Sequence, residues 1–107
     1  MRRRSDEEKI KRLILRRRRS ADRAARRRAE RYGVECVDIS RDEIRARDGE
    51  TCYLCGLFVS VHEMTIDHVF PITLGGSHTP ENVRIVHGVC NSRKGDRLLS
   101  ELNLSEF

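Results

Sequence analysis

A small α+β domain pinned by a metal ion, behind a long basic helix, is what this 107-residue sequence predicts. Three observations predict it. Two ligand doublets, Cys52-x-x-Cys55 and His87-x-x-Cys90, have the spacing of a tetrahedral Cys₃His zinc site. The hydrophobic pattern switches from helical periodicity before Gly33 to short extended runs between the doublets. Apolar material is scarce: 37% of residues are hydrophobic, 36% are charged and none is Trp. A chain this short builds one domain, whose core needs help from a metal or an oligomer.

Ser5, followed by Asp6, Glu7 and Glu8, reads as a helix start, with a capping oxygen and then acids against the positive end of the dipole. Ile10, Leu13 and Ile14 fall at i, i+3, i+4 spacing, and Leu15 widens the stripe. No Gly or Pro interrupts the Arg/Ala run before Gly33, so one helix is expected over about residues 6–31.

Residues 1–32 hold fifteen Arg and Lys against five acids, a balance of +10, while residues 33–107 hold seven against twelve, a balance of −5. The expected organisation is a basic helical arm, residues 1–33, joined to a mildly acidic domain, residues 34–107. Such an arm points to nucleic-acid phosphates, with Arg16, Arg17, Arg18 and Arg19 as its densest contact. The same helix also reads as a solvated basic face, or as one whose apolar stripe packs on the domain or on a second copy. No apolar run approaches bilayer-spanning length, and the arginine-rich start has no signal-peptide core behind it. No membrane partner is expected, and the expected location is the cytoplasm. In that reducing compartment four Cys are metal ligands before they are disulfides.

Beyond Gly33, Val34 to Ile39 reads as an extended connector, and Cys36, alone on it, as a small buried hydrophobe. Ser40-Arg41-Asp42-Glu43 matches a capping box and predicts a two-turn helix to Arg47, ended by Asp48-Gly49. Phe58 to Val61, Met64 to Val69 and Val83 to Val86 are candidate strands. Gly75-Gly76 with Ser77, His78, Thr79 and Pro80 is a loop, and Asn91 to Arg97 opens a short helix. Regular alternation would send Asp67 and His68 to opposite faces, so a joint role needs a twist or a strand end near Pro71. His62 and His78 read as ordinary exposed loop residues; an approach of His78 to substrate or metal is the alternative. The tail, with Leu98, Leu99, Leu102, Leu104 and Phe107, is too apolar for a free end and is expected to pack on the domain or a partner.

These residues carry a resemblance. Asp67-His68, Asn82 and Asn91, set in DHVFPITLGG, then ENV, then CNSRKGD, inside the CxxC and HxxC frame, resemble HNH endonucleases of the ββα-metal class. The chain is similar in particular to small phage-type members, many of which serve restriction or genome-packaging modules. The resemblance covers Ile39 to Leu99 and leaves the arm outside. Asn91 stands where many members have His, as in HNN versions, and His87 stands where Cys is the usual third zinc ligand. What the resemblance implies is a ββα-metal fold with structural zinc on Cys52, Cys55, His87 and Cys90, and a DNA substrate. It gives His68 the role of general base, and has Asn82 hold the loop and orient the His68 ring.

The chemistry of the residues stands beside that likeness. Imidazole titrates near neutrality and suits the base. Asp67 and Asn91 offer hard oxygens of the kind that hold Mg²⁺ or Mn²⁺ with waters and phosphate. Arg93, Lys94 and Arg97 sit where they could grip phosphate. Each has a plainer reading: Asn82 a turn residue, Asn91 a helix N-cap, the three cations a solvated helix face. The competing function is a catalytically idle zinc module that binds DNA or a packaging partner. Such a module has no need of both Asp67 and His68.

Overall fold

The basic stretch forms one helix because nothing within it breaks one. In the computed structural model, which describes residues 5–107, α1 runs Asp6–Tyr32. Residues 1–4 of the expected arm lie outside the described residues. Ser5 Oγ accepts from the Glu8 N–H at 3.2 Å, and Gly33, at φ 65°, caps the far end in the left-handed conformation.

The two halves of α1 have different surroundings. Ile10, Leu13 and Leu15 are exposed, and Ile14 alone of that stripe is partly buried. The second half buries Ala25 and Ala29 and packs against a single helical turn, Ile72–Leu74. Ion pairs fasten α1 to the domain: Asp22 to Arg41 at 3.1 Å, Arg18 to Asp42 at 3.8 Å, and Arg26 to Asp38. Arg41 is buried and also donates to Thr65 Oγ1 at 3.2 Å, so it ties α1 to the sheet. Small residues make the docking face, and of the apolar stripe, whose packing on the domain was one alternative, only Ile14 is partly covered.

The second helix, α2 (Arg41–Asp48), starts where the capping box places it, with Ser40 Oγ accepting from the Glu43 N–H at 3.3 Å. A tight turn follows, in which the Gly56 N–H donates to Cys52 O and the Cys52 N–H to Leu57 O, both at 2.9 Å. Phe58 to Val61 do not form the expected strand. Phe58 makes one bridge with Thr51, and residues 61–63 turn directly into the sheet. Val59 is nonetheless fully buried, so its pattern reports burial without a ladder.

The sheet has two antiparallel strands, β1 (Met64–His68) and β2 (Val83–His87), with Met64 opposite His87 and His68 opposite Val83. Helix α3 (Gly88–Lys94) follows β2 without a loop and packs back on both strands. It begins three residues before the expected Asn91, and Gly95, at φ 57°, stops it at Lys94. The early start puts His87 and Cys90 three residues apart across its first turn, where both can face one point.

Ile44, Val59, Met64, Ile66, Val83 and Ile85 form one apolar cluster. Cys52, Leu54, Val86 and Cys90 form a second, covered by Leu102 and Phe107 of the tail. The tail therefore packs back on the domain, although Leu99 and Leu104 stay exposed. No described helix is long and apolar enough to cross a membrane.

Side-chain hydrogen bonds shape the loop between the strands. Asn82 Oδ1 accepts from the Phe70 N–H at 2.9 Å, and Nδ2 donates to Phe70 O at 2.9 Å and Ser77 O at 2.8 Å. Gly76 passes so close beneath that a Cβ there would sit 1.8 Å from Phe70 O. Gly76→Ala is therefore expected to destabilise the fold by about 2 kcal/mol or more, measured by urea unfolding. A loss under about 0.5 kcal/mol, the scale of ordinary surface substitutions, would show that the loop shifts freely.

Candidate active site and metal centre

The ligand doublets converge because the tight turn after Cys52 lies against the β2–α3 junction. The ligand atoms of Cys52, Cys55, His87 and Cys90 all lie within 4.8 Å of one another. His87 Nδ1 is 3.3 Å from Cys55 Sγ, while its Nε2 is 2.9 Å from Phe58 O. An Nε2–H donated to that carbonyl leaves Nδ1 as the ligand. Burial raises the Cys52 thiol, but backbone N–H groups of Cys55, His87 and Leu54 outweigh it and bring it down to about 6. Burial and the charges of Cys52 and Cys55 push Cys90 up to about 12. Three thiolates this close repel one another unless a cation sits among them. A Cys₃His set with this convergence is suited to zinc, and four protein ligands leave no open position for catalysis.

The second centre lies where β1 ends. Asp67 and His68 are its last two residues, and both line an open cavity of about 300 Å³. Asn91 joins them from α3, Arg28 from α1, and Asp96 from just beyond α3. Asn91 is the fourth residue of α3, so it is not the helix cap.

Asp67 is buried, and its carboxylate is held from two sides. The Tyr53 hydroxyl donates to Oδ2, and Lys94 Nζ lies 3.2 Å from Oδ2 while donating to His68 O at 3.1 Å. Burial raises the Asp67 pKa, and the Tyr53 and Lys94 bonds oppose that rise. Burial and the Asp67 charge raise the Tyr53 phenol, so it stays a donor. Lys94, expected to grip phosphate, has a side chain with 0% exposure. Its ammonium is turned inward because a buried carboxylate needs a buried partner.

His68 is buried, with Nε2 2.9 Å from His78 Nδ1. Burial, then the charges of His78, Arg28 and Lys94, push its pKa down to about 4. The ring is therefore uncharged at neutral pH. His78, expected as an exposed loop residue, is 3% exposed. Asn82 holds the loop through its bonds to Phe70 and Ser77, and the side chain in contact with the His68 ring is that of His78.

Of the other basic candidates, Arg97 pairs with Glu106 at 3.1 Å and Arg93 donates to Glu106 O at 3.4 Å, so both hold the tail. Arg18 is committed to Asp42, while Arg16, Arg17 and Arg19 are exposed. Cys36 is partly buried and bridges to His78 through the backbone. His62 is exposed, as expected.

The sequence model of the HNH endonuclease family matches residues 52–105. The chain belongs to that family. Among solved structures, the crystal structure of the Type II-C Cas9 enzyme from Actinomyces naeslundii is similar at 29% identity with a TM-score of 0.46. The likeness covers 88% of this chain and 11% of that one, so the chain spans about a tenth of that protein's length. No curated protein matches the chain. In HNH terms, the family match contains Asp67, His68, Asn82 and Asn91, but not α1 or the connector that follows it.

Tyr53 and Arg28 were not singled out from the sequence, and for His78 an approach to the site was only the alternative reading. Tyr53 was hidden between two ligand cysteines and His78 in a polar loop. For Arg28 one signal exists: Ala25 and Ala29, at i, i+4 spacing, mark the face of α1 that docks beside the cavity. The buried pair of this HNH site yields a prediction. Lys94→Met, which strands the Asp67 charge, is expected to cost about 3 kcal/mol at neutral pH. The loss should shrink as pH falls, because the unpartnered carboxyl has a raised folded pKa and takes up its proton before the unfolded chain does. The double variant Asp67→Asn/Lys94→Met should recover most of the stability. Equal losses in the single and double variants, in urea titrations, would contradict the pairing.

Proposed function

We propose that this chain is a divalent-metal-dependent DNA endonuclease with His68 as general base, and that its Cys₃His centre holds a structural zinc. The observation that carries the reading is the one cavity lined by Asp67, His68 and Asn91. Asp67 and Asn91 fit Mg²⁺ or Mn²⁺, since a carboxylate and an amide carbonyl are hard oxygen donors at the wall of an open cavity. When bound, the ion supplies charge neutralisation on the phosphate and at the leaving oxygen. The chain's own residues do the rest. Uncharged His68 takes a proton from the attacking water on the ring nitrogen turned away from His78. Lys94 and Tyr53 hold the Asp67 carboxylate in place. Arg28, exposed at the cavity wall, meets a phosphate oxygen.

Arg16 and Arg19, with Arg12 and Arg23, line a shallow groove of about 450 Å³ on α1, the natural track for a sugar–phosphate backbone. Arg17, exposed nearby, extends it. The motif set supports a phage-type restriction or packaging role in the cytoplasm. A second reading, the catalytically idle zinc module, is favoured by one observation: the Lys94 ammonium already neutralises Asp67 and competes with a divalent ion there.

Plasmid cleavage separates the two. Cleavage is expected with Mg²⁺ or Mn²⁺ and none with EDTA, and His68→Ala should slow it by at least about 10²-fold. Unchanged rates in that variant would sink the base assignment. The acid limb of kcat/KM should lie below the ordinary histidine value of 6.5, toward about 4, because His68 accepts a proton only when neutral and burial keeps it neutral to lower pH. A limb centred at 6.5 contradicts this.

Elemental analysis should find one zinc per chain, bound with an apparent energy on the order of 10 kcal/mol. Cys52→Ser should unfold the sheet and α3; zinc-free protein that keeps its fold would end that assignment. Replacing Arg16, Arg17 and Arg19 together by Gln should flatten the slope of log affinity against log salt by roughly 0.9 for each phosphate no longer neutralised. An unaltered slope, read by fluorescence anisotropy, would return these arginines to a solvated face.

A further inference from the structure

His68, proposed above as the general base, is in contact with a second histidine, His78. His68 Nε2 and His78 Nδ1 are 2.9 Å apart, with ring centroids 5.2 Å apart. Both side chains are buried, so neither ring swings freely into solvent. The backbone of His78 is fixed from both directions. Its N–H donates to Glu35 O at 2.8 Å, and its carbonyl accepts from the Val37 N–H at 3.0 Å. Asn82 grips Ser77 O at 2.8 Å on one side, and on the other Thr79 Oγ1 is 2.7 Å from Ser77 Oγ. Residues 35–37 lie outside the family match, and two residues separate them from the end of α1 at Tyr32. The connector from the basic helix therefore sets the height of this loop above His68.

We infer that His78 is a positioning residue, its Nδ1 accepting a hydrogen bond from Nε2–H of His68 and so keeping the His68 proton on Nε2 and its Nδ1 free. The inference rests on the reading of His68 as general base. A neutral imidazole carries one proton, and only the bare nitrogen accepts another. If Nε2 carries the proton and is tied to His78, Nδ1 is the basic nitrogen and the ring cannot rotate to exchange the two. Among the described residues no hydrogen bond is made by His68 Nδ1, whereas His68 lines the cavity that holds Asp67 and Asn91. The reverse arrangement, with His78 donating, would put the His68 proton on Nδ1 and leave no base. His78 must then carry its own proton on Nε2, which its pairing through Nδ1 permits. The connector after α1 thus selects the working tautomer of a residue some thirty positions further on.

The test uses full-length zinc-loaded protein, a supercoiled plasmid with Mg²⁺, and four proteins: wild type, His68→Ala, His78→Ala and His78→Asn. Asn sets an amide oxygen where the His78 Nδ1 stood, so it can still accept from His68. His78→Ala is expected to lower kcat by about 10-fold or more with KM nearly unchanged, the scale on which orienting partners of a functional histidine act. His78→Asn should recover part of that loss. Nitrogen-15 histidine spectra, with the His68 signals assigned by their disappearance in His68→Ala, should show the Nε2–H tautomer in wild type and a mixture in His78→Ala. A wild-type Nδ1–H tautomer overturns the inference. So does His78→Ala cleaving like wild type while His68→Ala is inactive, or a kcat loss with the tautomer unaltered and no recovery in His78→Asn. If His68→Ala itself cleaves normally, the general-base reading has failed, and the inference falls with it.

Discussion

A fully buried lysine ammonium against a buried aspartate is the constraint on which the site depends. Lys94 reaches from the last residue of α3 to Asp67 and to the carbonyl of His68, the final two residues of β1. Neither charge tolerates that environment alone, because desolvating an unpaired ion costs several kcal/mol after relaxation. The pair therefore fixes the distance between helix and strand, and with it the distance between Asn91 and Asp67. The same pair sets the Asp67 carboxyl at the wall of a cavity, where Lys94 opposes the rise that burial imposes on its pKa. Structure and chemistry here rest on one contact.

The sheet is thus worked from both ends. At the Met64–His87 end, the tight turn beginning at Cys52 and the first turn of α3 bring three thiols and an imidazole together. At the His68–Val83 end, the loop clamped by Asn82 and the last turn of α3 enclose the cavity. A seven-residue helix joins the two ends, so whatever holds Cys90 also aims Asn91, its immediate neighbour. This layout explains how so little apolar core supports a defined site. Each end is cross-linked by polar chemistry, and the two apolar clusters fill what remains. The basic helix is part of the arrangement: Ala25 and Ala29 let it approach closely, Arg28 reaches the cavity, and the connector beyond it seats His78.

What was legible in the sequence was local or stoichiometric. The caps of α1 and α2 were readable because a Ser oxygen, early acids and a following Gly act over one turn. The zinc-type set was readable because paired ligand spacing limits which atoms can meet. The HNH motif placed Asp67, His68, Asn82 and Asn91 in one region, and Asp67, His68 and Asn91 line one cavity. The rest depends on packing between distant segments. Phe58 to Val61 looked like a strand because alternation reports burial, not pairing, and Val59 is buried without a ladder. Lys94 looked like a surface cation because its partner lies 27 positions away in sequence. His78 looked like a loop residue because its burial is imposed by a connector about forty positions earlier.

The measurement that bears most directly on this account is anomalous diffraction from crystals of the zinc-loaded chain soaked in Mn²⁺. The account predicts two separate metal peaks, zinc within bonding distance of Cys52, Cys55, His87 and Cys90, and manganese in the cavity on Asp67 and Asn91, beside His68. A cavity that binds no manganese at saturating concentration, with Lys94 still holding Asp67, would contradict the metal-dependent reading of the site.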